Sequence, residues 1–224
     1  MVANRDQTLP TGRSTAPVRD RRWRPMKLFV VGALLLVGCA AESMPGTASA
    51  TSAATDTSFT WPVPAGWRSE TIPFPLGFAP TIAHRGTEEL RFAPRFFDAT
   101  SPTYFTYAFA FVTHDEAPIT ADVLAADLTT YFHGLASAVT HAPSDPALHD
   151  ATIAQAKDGV LRGTVHTIDA FGDQRRLTLH LEASTRSCGD RQIVVASLSP
   201  RTDEAIWTEL GALRAAFACS AASP

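Results

Sequence analysis

The chain has 224 residues, 45 % of them hydrophobic and 18 % charged, with a formal net charge of -3. That length suits one domain or at most two small ones. The composition excludes collagen-like, coiled-coil and wholly disordered chains, and 13 Phe with 4 Trp can furnish a substantial core.

The first segment is read as a leader. Arg21, Arg22, Arg24 and Lys27 form a basic cluster, and Leu28 to Val37 is an uncharged apolar run. A basic region followed by a short apolar one is the layout of a secretory signal. The run is shorter than the roughly 20 apolar residues needed to span a bilayer. It ends in Leu36-Val37-Gly38-Cys39, which resembles a bacterial lipobox. That resemblance implies acylation at Cys39, as with palmitate, and cleavage just ahead of it. An alternative start at Met26-Lys27 gives a shorter leader, and Arg21-Arg22 fits a twin-arginine motif poorly because Trp23-Arg24-Pro25 follows. The expected organisation is a leader over 1–38, an Ala/Ser/Thr-rich tether over 39–58, one folded domain over 59–219 and a tail over 220–224. The expected location is the bacterial cell envelope, on the membrane and facing the periplasm or the exterior.

Removing residues 1–38 changes the charge. They carry seven Arg/Lys and two Asp/Glu, leaving 19 − 7 = 12 basic and 22 − 2 = 20 acidic residues, a net of -8. An acidic domain with one lysine, Lys157, makes a poor nucleic-acid ligand, because phosphate neutralisation needs clustered cations. Cys188 and Cys219 are then left as a pair, and two cysteines in an exported domain predict a disulfide. A tether of about 18 residues reaches roughly 20–25 Å.

Trp61 to Pro80 is punctuated by five prolines, which exclude a helix interior or central strand and predict an extended edge segment. Its rings, with Trp61, Trp67 and Phe74 foremost, are candidates for a binding platform or for the domain's own core. Glu89 to Phe97 and Thr103 to Thr113 are predicted strands. In the second, Tyr107, Phe109 and Phe111 alternate with Ala108, Ala110 and Val112, so both faces are apolar, as in a central strand. Thr120 to Val139 is predicted helical, with Thr120 as cap and a stripe of Leu124, Leu128, Tyr131, Leu135 and Val139. His133 falls opposite the stripe and is expected at the surface.

Ala142 to His149 is a loop. Strands follow over Ala151–Ala156, Val160–Phe171, Arg175–Ala183 and Gln192–Leu198. Gly172-Asp173 suits a two-residue hairpin turn. That turn sets Ile168 against Leu177 and Thr164 against Leu181 on the inner face, with His166 inward beside Leu179. On the outer face it sets Asp169 against Arg176 and Thr167 against Thr178, near His180. A last helix spans Asp203 to Phe217, with Ile206, Leu210, Leu213 and Phe217 buried. The expected fold is α+β, a mainly antiparallel sheet with two helices packed on it.

The entry Pro64-Ala65-Gly66-Trp67, the mid-chain helix, the run of strands and the ending Ala215-Ala216-Phe217 together resemble PsbP-like domains. The resemblance covers the arrangement of about 160 residues, implies a three-layer α-β-α sandwich with a binding or assembly role, and assigns no site residue.

No Gly-x-Ser-x-Gly, His-Glu-x-x-His, Cys-x-x-Cys or phosphate-binding Gly loop is present, and no motif calls for a cofactor. Two polar clusters are the candidates for hydrolytic or metal chemistry. One is His114-Asp115-Glu116 at a strand end; the other is His141, Asp145, His149 and Asp150 in one loop. Glu88-Glu89 is read as the exposed start of a strand. The favoured expectation is a lipid-anchored domain that binds an envelope protein or a small apolar ligand; the alternative is an envelope hydrolase or metal-dependent enzyme.

Overall fold

The computed structural model describes residues 59–220. The leader, Cys39 and the tether, together with residues 221–224, therefore lie outside the described residues. The strands are β1 (Phe59–Thr60), β2 (Arg68–Pro73), β3 (Gly86–Phe92), β4 (Tyr107–Thr113), β5 (Asp150–Gln155), β6 (Leu161–Ile168), β7 (Arg176–Cys188), β8 (Arg191–Ser199) and β9 (Ala218–Cys219). The helices are α1 (Ala121–Thr140) and α2 (Glu204–Ala215), with a 3-10 turn at Pro146–Leu148. Seven strands form one antiparallel sheet in the order β2-β3-β4-β8-β7-β6-β5, and β1 pairs with β9. The α+β class is as expected.

β4 sits inside the sheet and is buried on both faces. Tyr107, Phe109 and Phe111 join Leu124, Leu128, Tyr131 and Phe132 of α1 in one apolar cluster. Ala108, Ala110 and Val112 join Leu210, Leu213 and Phe217 in the other. The helices therefore cover opposite faces, giving three layers. Thr120 caps α1, its hydroxyl accepting from the Val123 N–H at 3.3 Å. Within the expected stripe, Leu135 and Val139 are only half-buried, while Phe132 and Ala136 are buried instead. His133 is half-buried rather than exposed, because its Nε2 meets the Ser144 carbonyl at 3.1 Å.

The proline-rich entry does end in an edge strand, since β2 pairs only with β3. Several strand boundaries move: β3 starts at Gly86 rather than Glu89, β6 ends at Ile168 rather than Phe171 and β7 runs on to Cys188 rather than Ala183, and two further shifts have a backbone cause. β3 ends at Phe92 because Pro94 has no N–H and Arg95 takes φ 59°. β4 starts at Tyr107 because Phe105 takes φ 50°.

The β6–β7 register is one residue away from the expected one. Ile168 pairs with Arg176, Thr167 with Leu177, His166 with Thr178 and Thr164 with His180. The Asp169 N–H donates to the Arg175 carbonyl at 2.9 Å, leaving Ala170–Gln174 as the loop, with Gln174 at φ 60°. An odd-length loop replaces the expected two-residue turn, and a one-residue shift turns every β6 side chain over. Leu161, Val165 and Thr167 thereby face the core. His166 faces out, 3.0 Å from Asp150. The register puts apolar Val165, rather than an imidazole, into the core. Gly163 is part of the same fit, because a Cβ there would lie 2.0 Å from the Thr152 carbonyl oxygen.

Cys188 and Cys219 are bonded, with Cα atoms 5.3 Å apart, inside the roughly 7 Å limit for a bridge. Closing a loop of 31 residues contributes about 3–4 kcal/mol in the chain-entropy model. The bond fastens β9, and through β9 the paired β1, to the end of β7.

The buried polar groups of β3 correct another expectation. Glu88 and Glu89 are 0 % and 8 % exposed, not a surface strand start. Glu89 faces the α2 side, accepts from the Thr71 hydroxyl at 3.0 Å and pairs with Arg91 at 3.5 Å. Arg91 donates to the carbonyls of Leu90, Trp61 and Pro62 and stacks 4.6 Å over the Trp61 ring. That set fixes the entry segment onto the sheet. Glu88 points the other way, into the α1 cluster, and neither oxygen makes a hydrogen bond of normal geometry.

Candidate functional site

Of the two readings offered for the entry-segment rings, binding platform or the domain's own core, the structure shows core packing. Trp61 and Trp67 are 7 % and 8 % exposed. Their indole N–H groups are spent internally, on the Leu213 carbonyl at 2.9 Å and Glu209 at 3.1 Å. Phe74 is half-buried, edge-on to Phe111 and to His84. All three rings are packing residues of the domain.

Neither candidate polar cluster converges. In the first, His114 lies 3.7 Å from Asp190, Glu116 is exposed, and Asp115 turns to His84. In the second, His141 is exposed at the end of α1, and Asp145 caps the 3-10 turn. His149 is buried between the Ser144 hydroxyl at 2.7 Å and the Thr167 hydroxyl at 3.1 Å, and Asp150 meets His166. Burial, then the charge of His133, pulls the His149 pKa below its usual value. Among the described residues no three His, Cys, Asp or Glu side chains form a metal-holding group.

His84 was not among the sequence candidates. Its Nδ1 lies 2.5 Å from Asp115 and its Nε2 lies 2.8 Å from Asp127. Both ring nitrogens face carboxylates, so the ring is held as an imidazolium and has no nitrogen left to take a proton from a nucleophile. This is a tie, joining the segment before β3 to the end of β4 and to α1. Burial opposes the charge, but Asp127 and then Asp115 outweigh it together and raise the pKa. A raised folded-state pKa contributes stability that is complete below the unfolded value near 6.5 and is lost as pH rises through the folded value. His84→Gln is therefore expected to cost about 1–3 kcal/mol at pH 5.5 and clearly less at pH 8.5. Denaturant melts at both pH values check this; an equal cost at both would refute the charged tie.

At the opposite end of the sheet, near the starts of β2, β4 and β7, lies a different arrangement. Phe97 and Phe171 are 42 % and 38 % exposed, with centroids 5.1 Å apart. They rest on a packed aromatic base: Phe96 touches Phe92, Phe105 and Tyr107, and Phe171 touches Phe96 and Phe105. Two loops carry the pair, Ala93–Thr106 and Asp169–Arg175. They are joined by the Tyr104 hydroxyl, which donates to the buried Asp169 carboxylate at 2.5 Å. Burial, and next the Asp169 bond, raises the Tyr104 pKa to about 12, so the phenol keeps its proton.

The same two loops contribute to a cavity of about 260 Å³ lined by Ala99, Tyr104, Arg175, Leu177, Pro200 and Arg201. A second cavity, of about 310 Å³, lies between β6, β7 and the start of α2, and includes Arg162, His180, Glu182 and Trp207. Its charges are already matched, since Glu182 meets Arg162 at 2.9 Å and Arg214 at 2.6 Å. The first cavity has two guanidinium groups and no carboxylate in its lining.

The sequence signal for this end was the adjacency of Phe96-Phe97 and Phe171 beside Arg175-Arg176, which periodicity assigned to strands. No helix among the described residues is long and apolar enough to cross a membrane. No family model, curated protein or solved structure matches the chain.

Proposed function

We propose that the chain is an exported, lipid-anchored binding domain, held to the envelope membrane by acylated Cys39 and engaging its partner or ligand through the Phe97–Phe171 end. One observation carries this reading. Two large aromatic side chains stay exposed and in contact on a packed aromatic base, and the two loops that carry them also supply Ala99, Tyr104 and Arg175 to a cavity lined by two arginines. Aromatic residues and Arg dominate binding hot spots, and a rigid base keeps the ordering cost of binding low.

The anchor reading is supported by the leader pattern, a basic cluster and an apolar run ending in Leu36-Val37-Gly38-Cys39.

The test has two arms. Labelling with a palmitate analogue is expected to mark the wild type and to fail in Cys39→Ser, which should also leave the membrane fraction. Capture from a solubilised envelope fraction is expected to yield a product with the wild type and at least about tenfold less with Phe171→Asp. Unchanged labelling in Cys39→Ser contradicts the anchor, and equal capture by Phe171→Asp contradicts the surface.

A further inference from the structure

The reading above leaves the ligand's chemistry open, and the cavity that shares the Asp169–Arg175 loop with Phe171 narrows it. Its floor is held in place by bonds made without any ligand. The Arg201 guanidinium donates to the Ser101 carbonyl at 2.9 Å, and the Arg201 backbone N–H donates to the Ser199 hydroxyl at 3.1 Å. Its Nε–H is buried with no hydrogen-bond partner among the described residues. Arg175 lies over the Tyr104 ring at 5.0 Å. The buried carboxylate nearest to it, Asp169, is engaged by the Tyr104 phenol. Asp173, at 3.8 Å from Arg175, is largely exposed, and an exposed pair of that length contributes little, on the order of 0–1 kcal/mol.

The charge of this end departs from that of the domain. The domain over 59–219 carries 12 basic and 18 acidic residues, 12 − 18 = -6, whereas the cavity is lined by Arg175 and Arg201 with no carboxylate. The remaining lining is apolar, with Ala99, Leu177 and Pro200 and the face of Tyr104. At about 260 Å³ the cavity falls just below the roughly 300–1,000 Å³ of typical small-molecule sites. A compact group fits within that volume.

We infer that this cavity is an oxyanion subsite that takes the carboxylate of a small apolar or aromatic acid between Arg175 and Arg201, with its apolar part against Leu177 and Pro200. Arg201 already gives Nη2 to Ser101 and its Nε is buried, so the carboxylate is held by one charge-assisted contact from Arg201 and one from Arg175. The apolar walls favour an organic acid over a bare inorganic anion, which would leave them dry and unfilled. The inference rests on the binding reading above, because Phe171 and the subsite share the Asp169–Arg175 loop.

The test is a titration of the full chain, followed by NMR at the amides and methyls of Ala99 and Leu177, with benzoate, benzyl alcohol and inorganic phosphate as separate probes. Benzoate is expected to shift these signals saturably and at least about tenfold more tightly than benzyl alcohol. Arg201→Gln is expected to weaken benzoate by about 10–100-fold, the loss of one charge-assisted contact. Arg175→Gln, on the exposed loop, should weaken it in the same sense and guards against misfolding of the first variant. Equal binding of benzyl alcohol and benzoate, or a benzoate affinity unchanged in both variants, overturns the subsite while leaving an apolar contact surface in place. Phosphate binding as tightly as benzoate overturns the organic-acid assignment. If neither benzoate nor benzyl alcohol moves any signal at this end, the subsite falls, and Phe171→Asp capture then decides the broader reading on its own.

Discussion

Glu88→Gln is expected to make the protein more stable at pH 8 and no more stable at pH 4.5. Glu88 is fully buried on the α1 side of β3, between the cross-strand neighbours Ile72 and Phe111. Burial raises its pKa to about 8, the Tyr131 hydroxyl offsets part of that, and the charge of Glu70 adds to it. Glu88 is thus a neutral acid in the folded domain at neutral pH, whereas the unfolded chain ionises it near pH 4.5. The folded state binds the extra proton, so its contribution to stability is complete below about pH 4.5. That contribution is lost progressively as pH rises to about 8 and stays flat above. By pH 7 the loss is on the order of 3 kcal/mol. Glutamine keeps the shape and removes the titration, though its amide must still find partners among the same apolar neighbours. Urea unfolding of wild type and variant across pH 4.5–8.5 measures the difference. Two parallel curves would mean that Glu88 ionises normally in the folded state.

Arg91→Met is expected to cost about 3–5 kcal/mol. Arg91 is 6 % exposed, pairs with Glu89, and serves three carbonyls. Methionine fills much of the volume but strands the Glu89 carboxylate, and breaking one partner of a buried ion pair is costly for that reason. The double variant Glu89→Leu with Arg91→Met removes both charges and should recover most of the loss. A single variant that loses less than about 1 kcal/mol, or a double variant no better than the single, would show that the pair does not hold the entry segment.

Periodicity carried the fold a long way. The alternation through Tyr107 to Val112 marked a strand buried on both faces, and the spacing of Leu124, Leu128 and Tyr131 marked α1, because burial on these elements follows the backbone period. Periodicity could not fix the β6 register. A strand written Leu161-Arg162-Gly163-Thr164-Val165-His166-Thr167-Ile168 offers apolar residues of both parities, and the length of the Ala170–Gln174 loop decides between them. Glu88 and Glu89 were misjudged because charged residues are seldom buried; Glu89 finds Thr71 and Arg91, and Arg91 in turn reaches Trp61 and Pro62, up to about 30 positions away in sequence.

The candidate site was less legible. His84 is a lone histidine in a loop, and its two carboxylates arrive from positions 115 and 127. Phe97 and Phe171 come from separate loops, and Arg201 follows a third strand. Only the folded sheet brings them to one end. The Trp61 and Trp67 rings, which composition made conspicuous, went to the core under α2 instead.

The central claim is that the Phe97–Phe171 end is where this domain meets its partner. Site-specific photo-crosslinking in cells tests it most directly, with the photoreactive residue placed in turn at Phe171, at the exposed Val123 of α1 and at the exposed Thr178 of the outer sheet face. The account predicts a discrete adduct from position 171 and none from 123 or 178. Adducts from 123 or 178 with none from 171 would contradict it.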